Sequence, residues 1–376
     1  MSKNYDNWER LVAAVLRREL LWQICHEHSR TPSLMSSVSS DFSSSFSLSS
    51  PLSSTFPKPE DGIFMSDRYP PLRVSANIKA MVRSGEAKEG PCRLVLFMGS
   101  PVEFGLKELL MAPSVALGDK LRTFINTHLV WLRKEILFVV KRFHRGDYSL
   151  DEVEEEMKII GSIDHENVGK MVGYCLHEDE CLAIREYFPR ESLETMLHGK
   201  TGKNRVHLNW EARVRIATGV AKGLAHIHGQ RSGDFAHANI KASNIFLNSD
   251  QYGCIADDLI ISASPILAYD PPDVSVTKEP PQATDVYSFG VLLIELLSGR
   301  SPLRRTSRHS SFVDWALHHA RDEWTSLMFD KMLLKNPLVK QEMWEMLAVA
   351  LSCVERKPGE RPTMAEVAHM LEFISM

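Results

Sequence analysis

From residue 93 onward, the apolar pattern of this 376-residue chain changes once, close to residue 190. Upstream, short apolar runs bounded by polar residues predict β-strands over 94–98, 128–132 and 136–143. A short helix is predicted over 105–111 and a glutamate-rich helix over 150–160. Downstream, helical spacing dominates, over 209–228, 284–299, 312–320, 341–353 and 363–374. The sequence therefore predicts an α+β fold with a small β-rich N-lobe and a large α-helical C-lobe.

The first 92 residues differ from this pattern. Residues 1–29 carry apolar side chains such as Trp8 and Leu16 at helical spacing, which predicts an amphipathic helical segment. Such a helix either docks on its own domain or binds a partner, and the sequence favours neither role. Serine dominates residues 30–59, which predicts a disordered linker that serves as a spacer or carries phosphate. Residues 60–92 are an irregular lead-in.

Composition narrows the possible partners. The formal net charge of -4, with 24% charged residues, gives no electrostatic case for binding nucleic acid. No apolar run approaches the ~20 residues of a transmembrane span, and no signal segment opens the chain. The six cysteines contain no C-x-x-C pair, which disfavours a disulfide framework and a zinc site. We expect a cytoplasmic protein that reaches the plasma membrane or the nucleus through its partners.

Several motifs stand in a fixed order along the chain. The run 237–244 (HANIKASN) resembles the catalytic loop of protein kinases, and Asp257, thirteen residues later, stands at the D-F-G aspartate position. Lys141 resembles the strand lysine of that family. The run 284–291 resembles the central helix of its large lobe, and 360–364 (ERPTM) the closing motif of plant receptor-like kinases.

Five motifs in the right order make the resemblance specific. Residues 93–375 resemble the leucine-rich-repeat branch of the plant receptor-like kinases, as a degenerate cytoplasmic member. The resemblance implies a bilobal protein-kinase fold, with the N-lobe at about 93–188 and the C-lobe at about 189–375. It also implies that Asp285 braces the catalytic loop and that Arg361 pairs with Asp273.

The resemblance also implies which residues would hold ATP and Mg²⁺ in an active relative. The candidates are Gly118, Lys141, Glu156, Lys241, Asn244 and Asp257, with Glu186 and Phe188 in the hinge. Asn244 and Asp257 would hold the metal, and only if a nucleotide binds. For Lys141 and Glu156 the alternative is an ion pair that locks the helix against the sheet.

Other positions depart from the family in ways that oppose phosphoryl transfer. The catalytic-base position holds Asn239, a neutral amide that can align a hydroxyl but cannot accept its proton. Gly118 alone remains of three glycines in the phosphate-binding loop, because Lys120 and Thr123 take the other two places. Arg185 stands where the family guards the back of the adenine pocket, and its long side chain is expected to fill that pocket or to pair with a carboxylate there.

The D-F-G segment is altered as well. Asp258 and Leu259 take the places of phenylalanine and glycine, and a second carboxylate is costly in an apolar slot. Only sixteen residues separate Asp257 from Asp273, so little of a substrate-binding activation segment remains.

These losses predict a pseudokinase that acts as a signalling scaffold or regulator. It would bind a protein partner, such as an active receptor-like kinase, and would require no cofactor. The alternatives are an atypical Ser/Thr kinase with weak ATP-dependent phosphotransfer and a non-catalytic switch that responds to ATP. The weak kinase is disfavoured, because phosphoryl transfer needs several groups positioned together. Binding of ATP and Mg²⁺ is also the less favoured expectation, because Lys120 and Thr123 obstruct the phosphate-binding loop and Arg185 stands at the back of the adenine pocket.

Overall fold

The computed structural model describes residues 71–72, 93–98, 102–117, 126–133, 136–177, 180–199, 208–230, 235–256, 268–272, 282–303, 311–321 and 328–374. All of these belong to one compact unit, Ile63–Met376. The predicted helical segment 1–29 and the predicted linker 30–59 belong to the other unit, Met1–Gly62, which lies outside the described residues.

The strands of the N-lobe form one antiparallel sheet. They are β1 Arg93–Leu96, β2 Ser114–Leu117, β3 Asn126–Leu132, β4 Ile136–His144, β5 Met171–Leu176 and β6 Glu180–Glu186. Their order across the sheet is β1-β5-β6-β4-β3-β2. In β6 every residue except Glu186 is buried, which is expected for a central strand covered on both faces.

Among the residues that the structure describes, two helices accompany the sheet, α1 Leu106–Met111 and α2 Leu150–Ser162. Helix α2 begins at a capping box, in which Ser149 Oγ accepts the Glu152 N–H at 3.2 Å and the Glu152 carboxylate accepts the Ser149 N–H at 2.7 Å. Val153, Met157 and Ile160 form its buried stripe, and it packs against β5. The helix predicted over 150–160 is thus confirmed and is two residues longer.

The core of the N-lobe reaches upstream of its first strand. Leu72 is 1% exposed and lies in the same apolar cluster as Leu109, Val130 and Phe138. A single antiparallel bridge joins the preceding Pro71 to Pro113. A part of the chain that the sequence suggested was an irregular lead-in therefore contributes a fully buried core residue.

The C-lobe is built on one central helix. Its helices are α3 Leu193–His198, α4 Trp210–His228, α5 Gln282–Ser298, α6 Phe312–Arg321, α7 Lys340–Cys353 and α8 Met364–Ile374. Every residue of α5 from Thr284 to Ser298 is buried, and α7 packs against it while α8 packs against α4. A hairpin of β7 Ile245–Leu247 and β8 Gly253–Ile255 lies against α4. The predicted bilobal α+β fold is confirmed.

The described cysteines differ in state. Cys175 is disulfide-bonded, which the spacing of the cysteines did not predict. Cys181, Cys254 and Cys353 are buried free thiols, and burial raises the pKa of each to about 12. These three thiols are therefore protonated and unreactive. Among the described helices, none combines the length and the apolar character needed to cross a membrane.

Candidate functional site

One buried carboxylate holds the segment that resembles a catalytic loop. Asp285, on α5, is 0% exposed and accepts the backbone N–H groups of His237 and Ala238, each at 2.6 Å. It also bonds to Nε2 of His228, at the end of α4, at 2.9 Å. Ala238 has φ 52°, a left-handed conformation that is uncommon for residues other than glycine. The carboxylate thus fixes both the position and the unusual backbone of this loop.

Asn239 lies in a hydrogen-bonded loop with Asn244. The Asn239 N–H donates to Nδ1 of His237 at 3.2 Å, and Nδ2 of Asn244 donates to the Asn239 carbonyl at 2.8 Å. The Asn244 carbonyl accepts the N–H of Ala256, the residue before Asp257, at 3.0 Å. Asn239 and Asn244 therefore lie together beside the backbone that leads to Asp257.

Lys241 completes this loop through its backbone. Its extended main chain precedes a short 3-10 turn, Ala242–Asn244, and its carbonyl accepts the Asn244 N–H at 3.0 Å. Its side chain is partly buried. Three of the predicted site residues, Asn239, Lys241 and Asn244, are thus held within one loop.

The predicted lysine and glutamate lie in the N-lobe. Lys141 is on β4, opposite Thr127 of β3 and Ala183 of β6, and is 7% exposed. Glu156 is on α2 and is partly buried. The structure places both on the elements that the sequence indicated.

The hinge follows the last strand of the sheet. β6 ends at Glu186, which is exposed, and Phe188 lies between this strand and α3 of the C-lobe. Arg185 is 5% exposed, and its Nη1 donates to the carbonyl of Gly169 at 3.2 Å. A buried guanidinium therefore lies immediately before the hinge. The described bond of its Nη1 is to a backbone carbonyl, and the expectation that it fills the pocket or pairs with a carboxylate stays a prediction.

The ring of Phe188 turns into the protein. It stacks on Phe246, with centroids 5.4 Å apart and an angle of 28° between the ring planes. Its Cε2 atom lies 3.0 Å from the position that a Cβ on Gly169 would take. Phe246 is on β7, two residues after Asn244, so the hinge ring contacts the strand that follows the catalytic-loop segment.

Some predicted positions lie outside the described residues. They are Gly118, Lys120, Thr123, Asp257, Asp258, Leu259 and Asp273. Arg361, expected to pair with Asp273, donates to the backbone carbonyls of Glu355 and Ala283 at 2.8 and 2.9 Å. Its guanidinium also lies over the ring of Tyr287, 5.0 Å from the centroid.

A second buried carboxylate ties together three parts of the C-lobe. Glu295 of α5 accepts the hydroxyl of Tyr269 at 2.5 Å and lies 2.7 Å from Nε2 of His198 on α3. Burial raises the pKa of Glu295, and the bonds to His198 and Tyr269 oppose that rise. The carbonyl of Tyr269 also accepts the hydroxyl of Ser288 at 2.9 Å. These bonds fix the residues just upstream of Asp273 against the central helix.

Three residues of this site were missed by the sequence analysis. Ala238 stands where the H-R-D motif has arginine, a difference readable from the motif alone. Phe246 and Gly169 gain their importance only through contact with Phe188, and no local pattern marks them.

ATP with Mg²⁺ is the cofactor that this fold implies. The described residues do not match it, because Arg185 is buried beside the hinge and the Phe188 ring lies against Phe246 and Gly169. The described site has a loop fixed by hydrogen bonds, an amide at the position of the base, and a hinge ring packed against Phe246.

Comparison with known proteins places this site in a family. Residues 130–371 match the family described as "Protein tyrosine and serine/threonine kinase". The chain spans about half the length of several Arabidopsis thaliana relatives, covering 46%, 51% and 53% of them. A "Probably inactive receptor-like protein kinase" of Arabidopsis thaliana is 34% identical over 315 residues, which are 75% of this chain and 87% of that protein.

Two solved structures share the fold. The pseudokinase domain of BIR2, described as an immune regulator of the RLK/Pelle family, has a TM-score of 0.64 and 25% identity, over 80% of this chain and 93% of that one. The maize SIRK1 kinase domain, solved with AMP-PNP, has a TM-score of 0.66 and 29% identity, over 76% of this chain and 100% of that one. The chain belongs to the protein tyrosine and serine/threonine kinase family, in its plant receptor-like branch.

Proposed function

We propose that this protein is a pseudokinase that acts by binding another protein. The observation that carries the proposal is Asn239 at the position of the catalytic base. An amide is essentially non-basic, so it cannot take the proton of a substrate hydroxyl as a carboxylate does. Its backbone is fixed by His237 and Asn244, so the loop keeps its shape without its acid-base group.

The names of related proteins support an inactive domain. Several Arabidopsis thaliana relatives are named as inactive receptor kinases, and BIR2 is described as a pseudokinase. The likeness to SIRK1, solved with a nucleotide analogue, means that the fold alone does not decide the matter. The decision rests on the residues of the site.

The preserved framework of the C-lobe supports a binding role. Asp285, Glu295 and Arg361 form the hydrogen bonds described above, although an amide stands at the position of the catalytic base. A protein whose partner reads the shape of the kinase fold needs this framework and not the reaction. We propose an active receptor-like kinase as the partner, on the cytoplasmic side of the plasma membrane, and no cofactor requirement.

Phosphotransfer decides between a pseudokinase and a weak kinase. Purified full-length protein is incubated with labelled ATP and either Mg²⁺ or Mn²⁺, with itself and a generic protein as acceptors. We expect no incorporation above that of Asp257→Ala, because losing an acid-base group alone costs about 10²–10⁴-fold in rate. Incorporation by the wild type and not by Asp257→Ala would falsify the pseudokinase assignment. Asn239→Asp should also remain inactive, since the loop at Gly118 stays defective.

Partner binding needs its own test. Affinity capture from the tissue that expresses the protein should recover the same receptor-like kinase with the wild type and with Asn239→Asp. Direct binding is then measured with the purified cytoplasmic domain of that kinase. Loss of binding in Asn239→Asp, or no direct binding to any recovered kinase, would contradict a role based on the shape of the fold.

A further inference from the structure

The link between the two lobes carries an aromatic ring that points inward. Phe188 follows the exposed Glu186 at the end of β6, yet its side chain is partly buried. Its stacking on Phe246 joins the hinge directly to β7 of the C-lobe. The centroid separation of 5.4 Å lies within the range of favourable aromatic pairs, about 4.5–7 Å.

The ring of Phe188 also reaches the backbone at Gly169, which lies just before β5. A Cβ on Gly169 would lie 3.0 Å from Phe188 Cε2 and 3.2 Å from the Cα of Ala256. Ala256 directly precedes Asp257, and Gly169 donates its N–H to the Ile255 carbonyl at 2.7 Å. The ring therefore spans the space from the hinge to the backbone that leads to the D-F-G position.

The absence of a side chain at Gly169 makes this placement possible. Any other residue there would place a Cβ against the ring at a distance that real Cβ contacts rarely show. The carbonyl of Gly169 also accepts the bond from Arg185. The arginine at the end of β6 and the phenylalanine of the hinge, three residues apart, thus meet at one glycine.

We propose that Phe188 is the residue that excludes nucleotides from the cleft between the N-lobe and the C-lobe. Its own ring lies in the place that the adenine ring would need. The proposal rests on the pseudokinase assignment and deepens it, because it names the group that closes the site. A phenyl ring and a purine are both flat and apolar on their faces, so Phe246 can stack on one or the other. A ligand that must first displace the ring binds with an affinity reduced by the small fraction of open protein.

The test removes the ring and asks whether adenosine then binds. Adenosine carries no phosphate, so defects of the loop at Gly118 and of metal binding do not affect the result. The full-length wild type, Phe188→Ala and the gentler Phe188→Leu are melted with and without adenosine. Phe373→Ala is the matched control, because it makes the same deletion in α8, where Phe373 is 40% exposed.

We expect no shift for the wild type or the control. Phe188→Ala should gain about 1–2 °C once adenosine exceeds its dissociation constant roughly fourfold. Phe188→Leu should gain less. An equal shift in wild type and Phe188→Ala would overturn the proposal, and so would a folded Phe188→Ala and Phe188→Leu that both fail to respond.

A second measurement tests the position of the ring itself. Gly169→Ala should lower the melting temperature of the wild type, and by less in the Phe188→Ala background, because the Cβ then has no ring to meet. Part of the loss remains, since the same Cβ lies 3.3 Å from the Ile255 carbonyl oxygen. Equal losses in both backgrounds would place the ring elsewhere and overturn the proposal.

The outcome is separable from that of the proposed function. Phe188→Ala should bind adenosine and still transfer no phosphate, because Asn239 is unchanged. Phosphotransfer by the wild type would sink the pseudokinase assignment, whereas a failure of adenosine to bind either Phe188 variant would sink only the role of Phe188.

Discussion

Two regions of the molecule differ in what their buried side chains do: the framework of the large lobe, formed by Asp285 and Arg361, and the region beside the hinge. In the framework, Asp285 accepts three hydrogen bonds and the Arg361 guanidinium donates to backbone carbonyls. Beside the hinge, Arg185 is buried and the ring of Phe188 stacks on Phe246, and Asn239 stands at the position of the catalytic base. The residues of the first region are those that the family motifs predict, whereas the second region departs from those motifs at Asn239.

The difference separates groups that hold the fold from groups that act only in the reaction. Removing Asp285 would leave buried donors without an acceptor, which costs free energy in the folded state. The bonds of Asn239 to His237 and Asn244 use its backbone N–H and carbonyl, so they do not depend on whether the side chain is an amide or a carboxylate. The chain therefore keeps the residues that maintain the shape, and the following predictions test this division.

The largest effect is expected for Asp285→Ala. The substitution leaves two backbone N–H groups and Nε2 of His228 without their acceptor in a fully buried place. Breaking such a network costs about 3–5 kcal/mol in the free energy of unfolding. Denaturant unfolding followed by circular dichroism measures the loss.

Asp285→Asn is the matched control. It keeps the volume and one acceptor oxygen but turns an NH₂ group toward the donors, so its loss should fall between those of Asp285→Ala and the wild type. An Asp285→Ala protein within 1 kcal/mol of the wild type would show that the framework does not depend on this carboxylate.

The next effect concerns a residue upstream of the kinase motifs. Leu72 is fully buried in the N-lobe core, so Leu72→Ala should lower the free energy of unfolding by about 2–5 kcal/mol. Leu338→Ala, at a side chain 84% exposed, is the matched control and should change it by less than about 0.5 kcal/mol. Equal stability of Leu72→Ala and the control would mean that residues 71–72 do not belong to the folded core.

The prediction for Leu72 shows where sequence reasoning ended. The fold followed from motifs, because the catalytic-loop run 237–244 and the central-helix run 284–291 are local strings with fixed spacing. Leu72 stands between stretches with no periodicity, so only its contact with α1 and the sheet reveals its role. Long-range packing of a single side chain leaves no local pattern.

The candidate site shows the same limit. The sequence identified Asn239 and Arg185 because each occupies a known position in a motif. The stacking of Phe188 on Phe246 joins residues 58 positions apart, and its dependence on Gly169 adds a third part of the chain. Positions inside a motif could therefore be predicted from the sequence. The contacts of Phe188, which join three separate parts of the chain, could be found only from the structure.

The smallest effect is expected for Ala238→Gly, and it is opposite in sign. Ala238 has φ 52°, a left-handed conformation that costs an L-residue about 1–2 kcal/mol. Glycine removes that strain but loses about 0.5–1 kcal/mol through the greater freedom of its unfolded chain. The variant should therefore be more stable than the wild type by at most about 1.5 kcal/mol, as measured by denaturant unfolding.

Ala242→Gly is the matched control, because Ala242 is buried in the 3-10 turn of the same loop and has no positive φ. There glycine relieves no strain, so it should destabilise the protein by about 0.5–1 kcal/mol. Opposite signs for the two variants would show that the loop stores its strain at Ala238, where the two N–H bonds to Asp285 hold it. If Ala238→Gly destabilised the protein as much as Ala242→Gly does, the backbone strain at Ala238 would be absent. The catalytic loop would then owe its shape to its own hydrogen bonds and not to the carboxylate of Asp285.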